Sequence, residues 1–160
     1  MAKKEIMIIN DGGSSIEAAN IDYTVGLGGA NRSPDVMLVQ ALFRYISLDR
    51  DIARRFLGSI EVPQITGFCG PKTRRAINQF QHKHAHSLLR VDGVIHPASY
   101  GRRKISTDAS KPVMTITLLH RFAWDAMLWQ PDIDYVSGLI RIEPRLRPFL
   151  NRVWHPRIDI

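Results

Sequence analysis

The chain has 160 residues and a mass of 18.2 kDa, enough for one domain that buries a core without disulfides or metal. With 44% hydrophobic residues, 23% charged residues and one cysteine, the composition excludes a disordered, collagen-like or disulfide-framework protein. The formal charge of +7 leaves open whether the partner is nucleic acid, anionic lipid or another acidic polymer.

Ile6-Met7-Ile8-Ile9 is a four-residue apolar run that stops at Asn10-Asp11-Gly12-Gly13. A secretory signal needs an apolar region of about 7–15 residues, so the run reads as a short edge strand ending in a turn. No stretch reaches the ~18 apolar residues of a spanning helix. The expectation is a protein made in the cytoplasm without a signal peptide, reaching a periplasm or wall only by a non-classical route.

The charge is concentrated. Residues 1–24 carry a net −2, residues 25–105 a net +8 and residues 106–160 a net +1. The basic centre opens with Val25-Gly26-Leu27-Gly28-Gly29-Ala30-Asn31. A dinucleotide-binding GxGxxG would need glycine at Asn31, so this reads as a structural turn. Ser33 is a candidate N-cap and Pro34 suits the first helical position. Val36, Val39, Leu42, Phe43 and Ile46 then give one apolar face, which predicts a helix over about 34–47 with Gln40 beside the stripe. Ile52 to Leu57 predicts a second, shorter helix.

Gly67 and Gly70 bracket a compact loop, and Pro71 starts another helix. Thr73, Ile77, Phe80 and His84 line one face of it, while Arg74, Arg75, Asn78 and Gln79 cover the other. Asp92-Gly93 is a tight turn, and Pro97 introduces a helix to about Ser106. The two halves form a weak internal repeat of glycine loop, proline and helix. In the tail, Ile116, Leu119, Phe122, Ala123, Ala126 and Met127 predict a helix over about Thr115 to Trp129, ended by Pro131. Pro144, Leu146, Phe149, Leu150 and Val153 predict another short helix with Glu143 near its start. Both should pack on the central module. Trp124 and Trp129 could also dock a protein partner.

Gly26-Leu27-Gly28-Gly29-Ala30-Asn31, Val39-Gln40-Ala41-Leu42, Gly67-Phe68-Cys69-Gly70-Pro71-Lys72-Thr73, Ala76-Ile77-Asn78-Gln79-Phe80-Gln81 and Asp92-Gly93-Val94-Ile95 together resemble the bacterial peptidoglycan-binding-like domain family. The likeness runs from Val25 to about Ser106. It implies a mainly all-α fold: a small three-helix module over 25–106, an N-terminal strand extension over 1–24, and a C-terminal helical extension over 107–160. The family usually has Asp-Gly where this chain has Thr66-Gly67, and the insertion between Ile46 and Ile65 is longer than usual. The resemblance implies non-catalytic binding of peptidoglycan or its stem peptides, with Asn31, Gln40, Lys72, Arg75 and Gln81 as candidate contacts. Gln40 and Gln81 could instead bond neighbouring loop backbone, and Lys72 and Arg75 could be solvated helix residues.

Other chemistry has weaker support. His82-Lys83-His84-Ala85-His86 places His82 and His86 on one helical face, but zinc needs further ligands. Histidine also suits a helix C-terminus electrostatically. Cys69 lies between loop glycines without an obvious base, and Asp132 and Asp134 read as solvent-facing acids. There is no HExxH or GxSxG motif, so no cofactor, metal or catalytic set is expected. The functional readings are a wall-binding protein, a structural or adaptor component of a contractile secretion or phage-type apparatus, and a wall hydrolase with an unrecognised active site. The arginines are scattered along the sequence without interleaved aromatics, which argues against nucleic acid.

Overall fold

The computed structural model describes residues 6–11, 14–98, 112–127 and 135–150. The protein is mainly helical, with six α-helices and two small two-stranded sheets among the described residues. No helix of the described chain is long and apolar enough to cross a membrane.

The N-terminal apolar run is a strand as expected, β1 (Ile6–Asp11), but it has a partner that sequence reading missed. It pairs antiparallel with β2 (Ser14–Ala19), Ile6 opposite Ala19 and Asp11 opposite Ser14. Ser14-Ser15-Ile16-Glu17-Ala18-Ala19 has low β propensity, and tertiary packing overrides it. Ala18 and Ala19 are buried, and the small side chains let β2 lie close to the helices behind it.

Helix α1 (Ser33–Ser47) is the centre of the molecule. Eleven of its fifteen residues are buried, so it is covered on nearly all sides rather than along the single stripe its periodicity predicts. The Ser33 side chain makes no cap; the helix is preceded by extended Arg32 and starts with a proline in its first turn. Asp35 faces inward, and its carboxylate accepts the backbone N–H groups of Asp22 (2.9 Å) and Tyr23 (3.1 Å). That anchors the segment after β2 to α1.

Helix α2 (Arg50–Phe56) begins at Asp49, whose carboxylate accepts from the amides of Asp51 and Ile52. Helix α3 (Pro71–Lys83) follows the Gly67–Gly70 loop and buries Thr73, Ala76, Ile77, Phe80 and Gln81. Two short strands, β3 (Val25–Gly26) and β4 (Val94–Ile95), pair antiparallel and join the first loop of the centre to its last. The helix expected from Pro97 to Ser106 lies outside the described residues beyond Ala98; Pro97 and Ala98 themselves are non-helical.

Helix α4 (Thr115–Met127) packs against α1, with Ile116, Leu119 and Ala123 fully buried. Its expected last two residues, the Pro131 stop, Trp129, Asp132 and Asp134 lie outside the described residues. Helix α5 (Tyr135–Ile142), which sequence reading missed, covers another side of α1 and touches β2. A 3-10 turn at Pro144–Leu146 and α6 (Arg147–Leu150) end the described chain, with Glu143 accepting the Arg145 amide at the turn's start.

Aromatic rings knit α1, α2, α3 and α4 together. Phe43 meets Phe80 edge to face at 5.7 Å, and Phe56 stacks on Phe122 at 3.8 Å. His120 is a buried polar joint between α4, α5 and the hairpin. Its Nε2–H donates to the Ala19 carbonyl (2.7 Å), so neutral Nδ1 accepts from the Tyr135 hydroxyl (2.6 Å). Burial pushes its pKa down to about 4.

Candidate functional site

The three glycine loops of the basic centre lie along α3, the second at its start and the third beside its last turn, and an amide side chain shapes each of them. In the first, Asn31 takes a left-handed conformation (φ 51°), which asparagine tolerates better than most residues. Its Oδ1 accepts from the Gly26 amide at 2.8 Å, and its Nδ2 donates to the carbonyls of Gly26 and Gly29, both at 3.0 Å.

The other two loops use one hydrogen-bond scheme twice. From α1, Gln40 Oε1 accepts the Gly67 amide (2.9 Å), while Nε2 donates to the Phe68 carbonyl (3.0 Å) and to Thr73 Oγ1 near the start of α3 (3.0 Å). From α3, Gln81 Oε1 accepts the Gly93 amide (2.7 Å), while Nε2 donates to the Val94 carbonyl (3.0 Å) and to Thr115 Oγ1 at the start of α4 (3.0 Å). Each glycine has nearly the same positive φ, 76° at Gly67 and 77° at Gly93. In each loop the residue before the glycine accepts the amide two residues on, at 3.1 Å: Thr66 from Phe68 and Asp92 from Val94. Thr66 thus braces its loop through the same turn that Asp92 makes.

Gln40 and Gln81 are about 1% and 0% exposed, so both amides work inside the fold and position loop backbone. Lys72 and Arg75 stand on the exposed face of α3, where Lys72 pairs with Glu61 at 3.0 Å. The five candidates therefore separate into three that shape the loops and two that face solvent beside them.

The loops touch one another. The Leu27 amide donates to the Gly93 carbonyl (3.2 Å), and a Cβ on Gly26 would lie 2.3 Å from that same oxygen. Only glycine permits this approach. Gly67 packs on Ser33 and Met37 at the head of α1. Cys69 is buried between the Gly26 amide and Arg74; burial pushes its thiol pKa up against both of them, which disfavours the thiolate a nucleophile needs. Beside the second glutamine, Asp92 accepts from His96 Nε2 at 2.9 Å. Burial opposes ionisation of Asp92, but the bonds from His96 and the Val94 amide outweigh it and hold the carboxyl below its usual range. A depression lined by Leu89, Arg90, Val94, His96, Met114 and Thr115 has room for about one water.

Large apolar side chains project from or beside these rigid loops. Phe68 is 71% exposed and Leu27 64%, with Leu89 and Val91 also outside. Sequence reading did not single these out as surface residues. The signal was their place beside loop glycines, where a side chain has no helix face to fold onto. The histidine run does not gather ligands: His82 Nδ1–H donates to the Asn78 carbonyl, while buried His84 donates to the Phe56 carbonyl. Among the described residues no three His, Cys, Asp or Glu side chains are placed to hold a metal. Comparison with protein families, with curated proteins and with solved structures finds no match to the chain.

Proposed function

We propose that the chain is a non-catalytic binder of the bacterial cell wall, built on a peptidoglycan-binding-like three-helix module over 25–106. The observation that carries this reading is the set of braced loops. Asn31, Gln40 and Gln81 hold three glycine loops in fixed shape, and Phe68, Leu27, Lys72 and Arg75 stand out from or beside them. Preorganised loops lose little entropy on binding. The apolar side chains suit the faces of sugar rings, and the cations suit stem-peptide carboxylates. Asn31, Gln40 and Gln81 act here as positioning residues rather than contacts.

Purified protein should sediment with washed sacculi at low salt and less at high salt. Phe68→Ala and Lys72→Glu should each reduce the bound fraction roughly tenfold, the loss typical of an interface anchor. Failure of the parent chain to sediment at low salt would sink the reading. A cleared band in zymography against cell walls would overturn its non-catalytic part.

The adaptor reading is favoured by a different observation. Leu27, Phe68 and Leu89 are also the kind of apolar set that forms the centre of a protein interface. The described C-terminal helices direct Ile116, Leu119 and Leu139 into the core, and Leu146 joins them there, so this reading rests on the apolar loop residues rather than on those helices. A partner captured by the parent chain and lost with Phe68→Glu, in the absence of sacculus binding, would select this alternative.

A further inference from the structure

We propose that Arg145, in the C-terminal segment, is a positioning residue that sets the pose of Phe68 by gripping the peptide group at the start of its loop. That group joins Ile65 to Thr66. Its N–H donates to Gln40 Oε1 from α1 at 2.9 Å, and its carbonyl accepts from Arg145 Nη2 at 2.7 Å. In a trans peptide these two groups point opposite ways, so the two grips together fix the rotation of one planar unit. Two residues on, Phe68 is 71% exposed, and the loop backbone sets where its ring points.

The grip is built before any ligand arrives. Arg145 Nε donates to Glu143 Oε1 at 2.6 Å, and Nη2 donates to Oε2 at 3.0 Å. This two-pronged pair orients the planar guanidinium and leaves the second Nη2 hydrogen aimed at the Ile65 carbonyl. The Glu143 side chain is largely buried, and it also accepts the Arg145 amide at 3.1 Å. The guanidinium holds the Glu143 carboxyl below its usual range, so the pair is charged at neutral pH. The 3-10 turn that carries Arg145 packs on α1 and is plugged into the core by Leu146. Arg145 itself is half exposed, and water competes for the Ile65 carbonyl. Because Glu143 already immobilises the guanidinium, the further bond costs little entropy.

The third loop is held from the same segment. Thr115 Oγ1 accepts from Gln81 Nε2 at 3.0 Å. Val113 bridges the chain before that loop: its N–H donates to the Ser87 carbonyl and its carbonyl accepts the Leu89 amide, both at 2.8 Å. Exposed Phe68 and exposed Leu89 thus both stand on backbone held by Val113, Thr115 and Arg145. A segment that reads in sequence as packing belongs to the frame of the binding loops. Its effect on binding rests on the wall-binding reading, whereas the grip on the peptide group does not.

Amide hydrogen exchange and sacculus sedimentation of the full chain test this. Arg145→Ala should speed exchange at the Thr66, Gly67 and Phe68 amides about tenfold. Arg147→Ala removes the same charge from an exposed position two residues on and should leave those amides unchanged. Arg145→Ala alone strands the Glu143 carboxylate, so Glu143→Gln/Arg145→Ala is measured beside it; the same local exchange is expected with a melting temperature close to the parent's. In sedimentation, Arg145→Ala should weaken binding about fivefold. Phe68→Ala/Arg145→Ala should bind no more weakly than Phe68→Ala, because Arg145 acts through that ring. Three results would overturn the proposal: unchanged exchange at the three amides, a binding loss matched by Arg147→Ala, or losses that multiply in the double variant. A parent chain that does not sediment overturns the wall-binding reading instead, and exchange then decides whether Arg145 holds the loop.

Discussion

Gln40 and Gln81 perform the same task in different settings. Each bonds the amide of a left-handed glycine, the next carbonyl, and a threonine hydroxyl near the start of the following helix. Around Gln40 the supporting side chain is neutral Thr66, and the loop carries an exposed phenylalanine. Around Gln81 it is ionised Asp92, itself held by His96, and the residue after the glycine belongs to a strand. The shared parts are those that satisfy buried backbone groups, and the differing parts face solvent. A repeated unit therefore keeps its polar interior and diversifies its rim.

Removing the glutamines attacks the shared part and should give the largest effects. Gln40→Leu leaves the amides of Thr66 and Gly67, the Phe68 carbonyl and the Thr73 hydroxyl without their partner. Each buried orphan costs about 1–3 kcal/mol, so a loss of about 4 kcal/mol is expected in urea unfolding. Gln81→Leu strands fewer groups and should cost about 3 kcal/mol. No loss from either change would mean that the two schemes are not the supports they resemble.

The next effect belongs to the His120 joint, which lies outside both schemes. Its pKa is about 4 when folded, against the ordinary value of 6.5. The unfolded chain therefore binds the extra proton more readily, and stability falls as pH drops from about 6.5 through about 4. The full loss is about 3 kcal/mol. His120→Gln should flatten that part of the pH–stability curve.

Alanine at the two glycines should separate the loops further. Both positions impose left-handed strain of about 1–2 kcal/mol. At Gly93 the new methyl meets only Leu27 at 3.9 Å, whereas at Gly67 it would come within 2.4 Å of Ser33 Oγ and 3.2 Å of Met37 Cγ. Gly67→Ala should be the more damaging in a thermal melt. The smallest effect is expected at Asp92. Its carboxyl is held below the usual range, so the stability it adds is present at neutral pH and is lost as pH falls through that depressed value. Asp92→Thr, which copies the Gln40 scheme, should remove this acid dependence with little change at neutral pH.

Helices α1 and α3, which have proline starts and periodic apolar residues, were legible from sequence within a residue or two, as was the Thr115 start of α4. Pro97 and Ala98, after the Gly93 loop, are non-helical, so of the two expected units of glycine loop, proline and helix only the one at Gly67, Pro71 and α3 was legible among the described residues. The hairpin partner β2 and helix α5 were not. Ser14–Ala19 has no strand-forming pattern of its own, and Tyr135–Ile142 is a short run whose helical state depends on packing against α1. The site was half legible. The amides and cations could be named, but glutamines beside a helical stripe read equally as ligand contacts or as backbone partners. Only burial assigns Gln40 and Gln81 to the interior. Thr73 could be placed on the inner face of α3, but the partnership of Gln81 with Thr115 was hidden by the 34 positions between them.

Unequal spacing within the repeat has a practical side. Gln40 and the Thr66 amide that it receives are 26 positions apart, while Gln81 and the Gly93 amide are separated by 12. Doubling a connection costs only about 0.6 kcal/mol in closure entropy when its ends are pinned. The excursion through α2 turns at Gly58, which is exposed and left-handed. It is thus a natural splice point: an epitope or fluorescent reporter grafted between Gly58 and Ser59 would ride on the protein while the paired amides hold the scaffold in register.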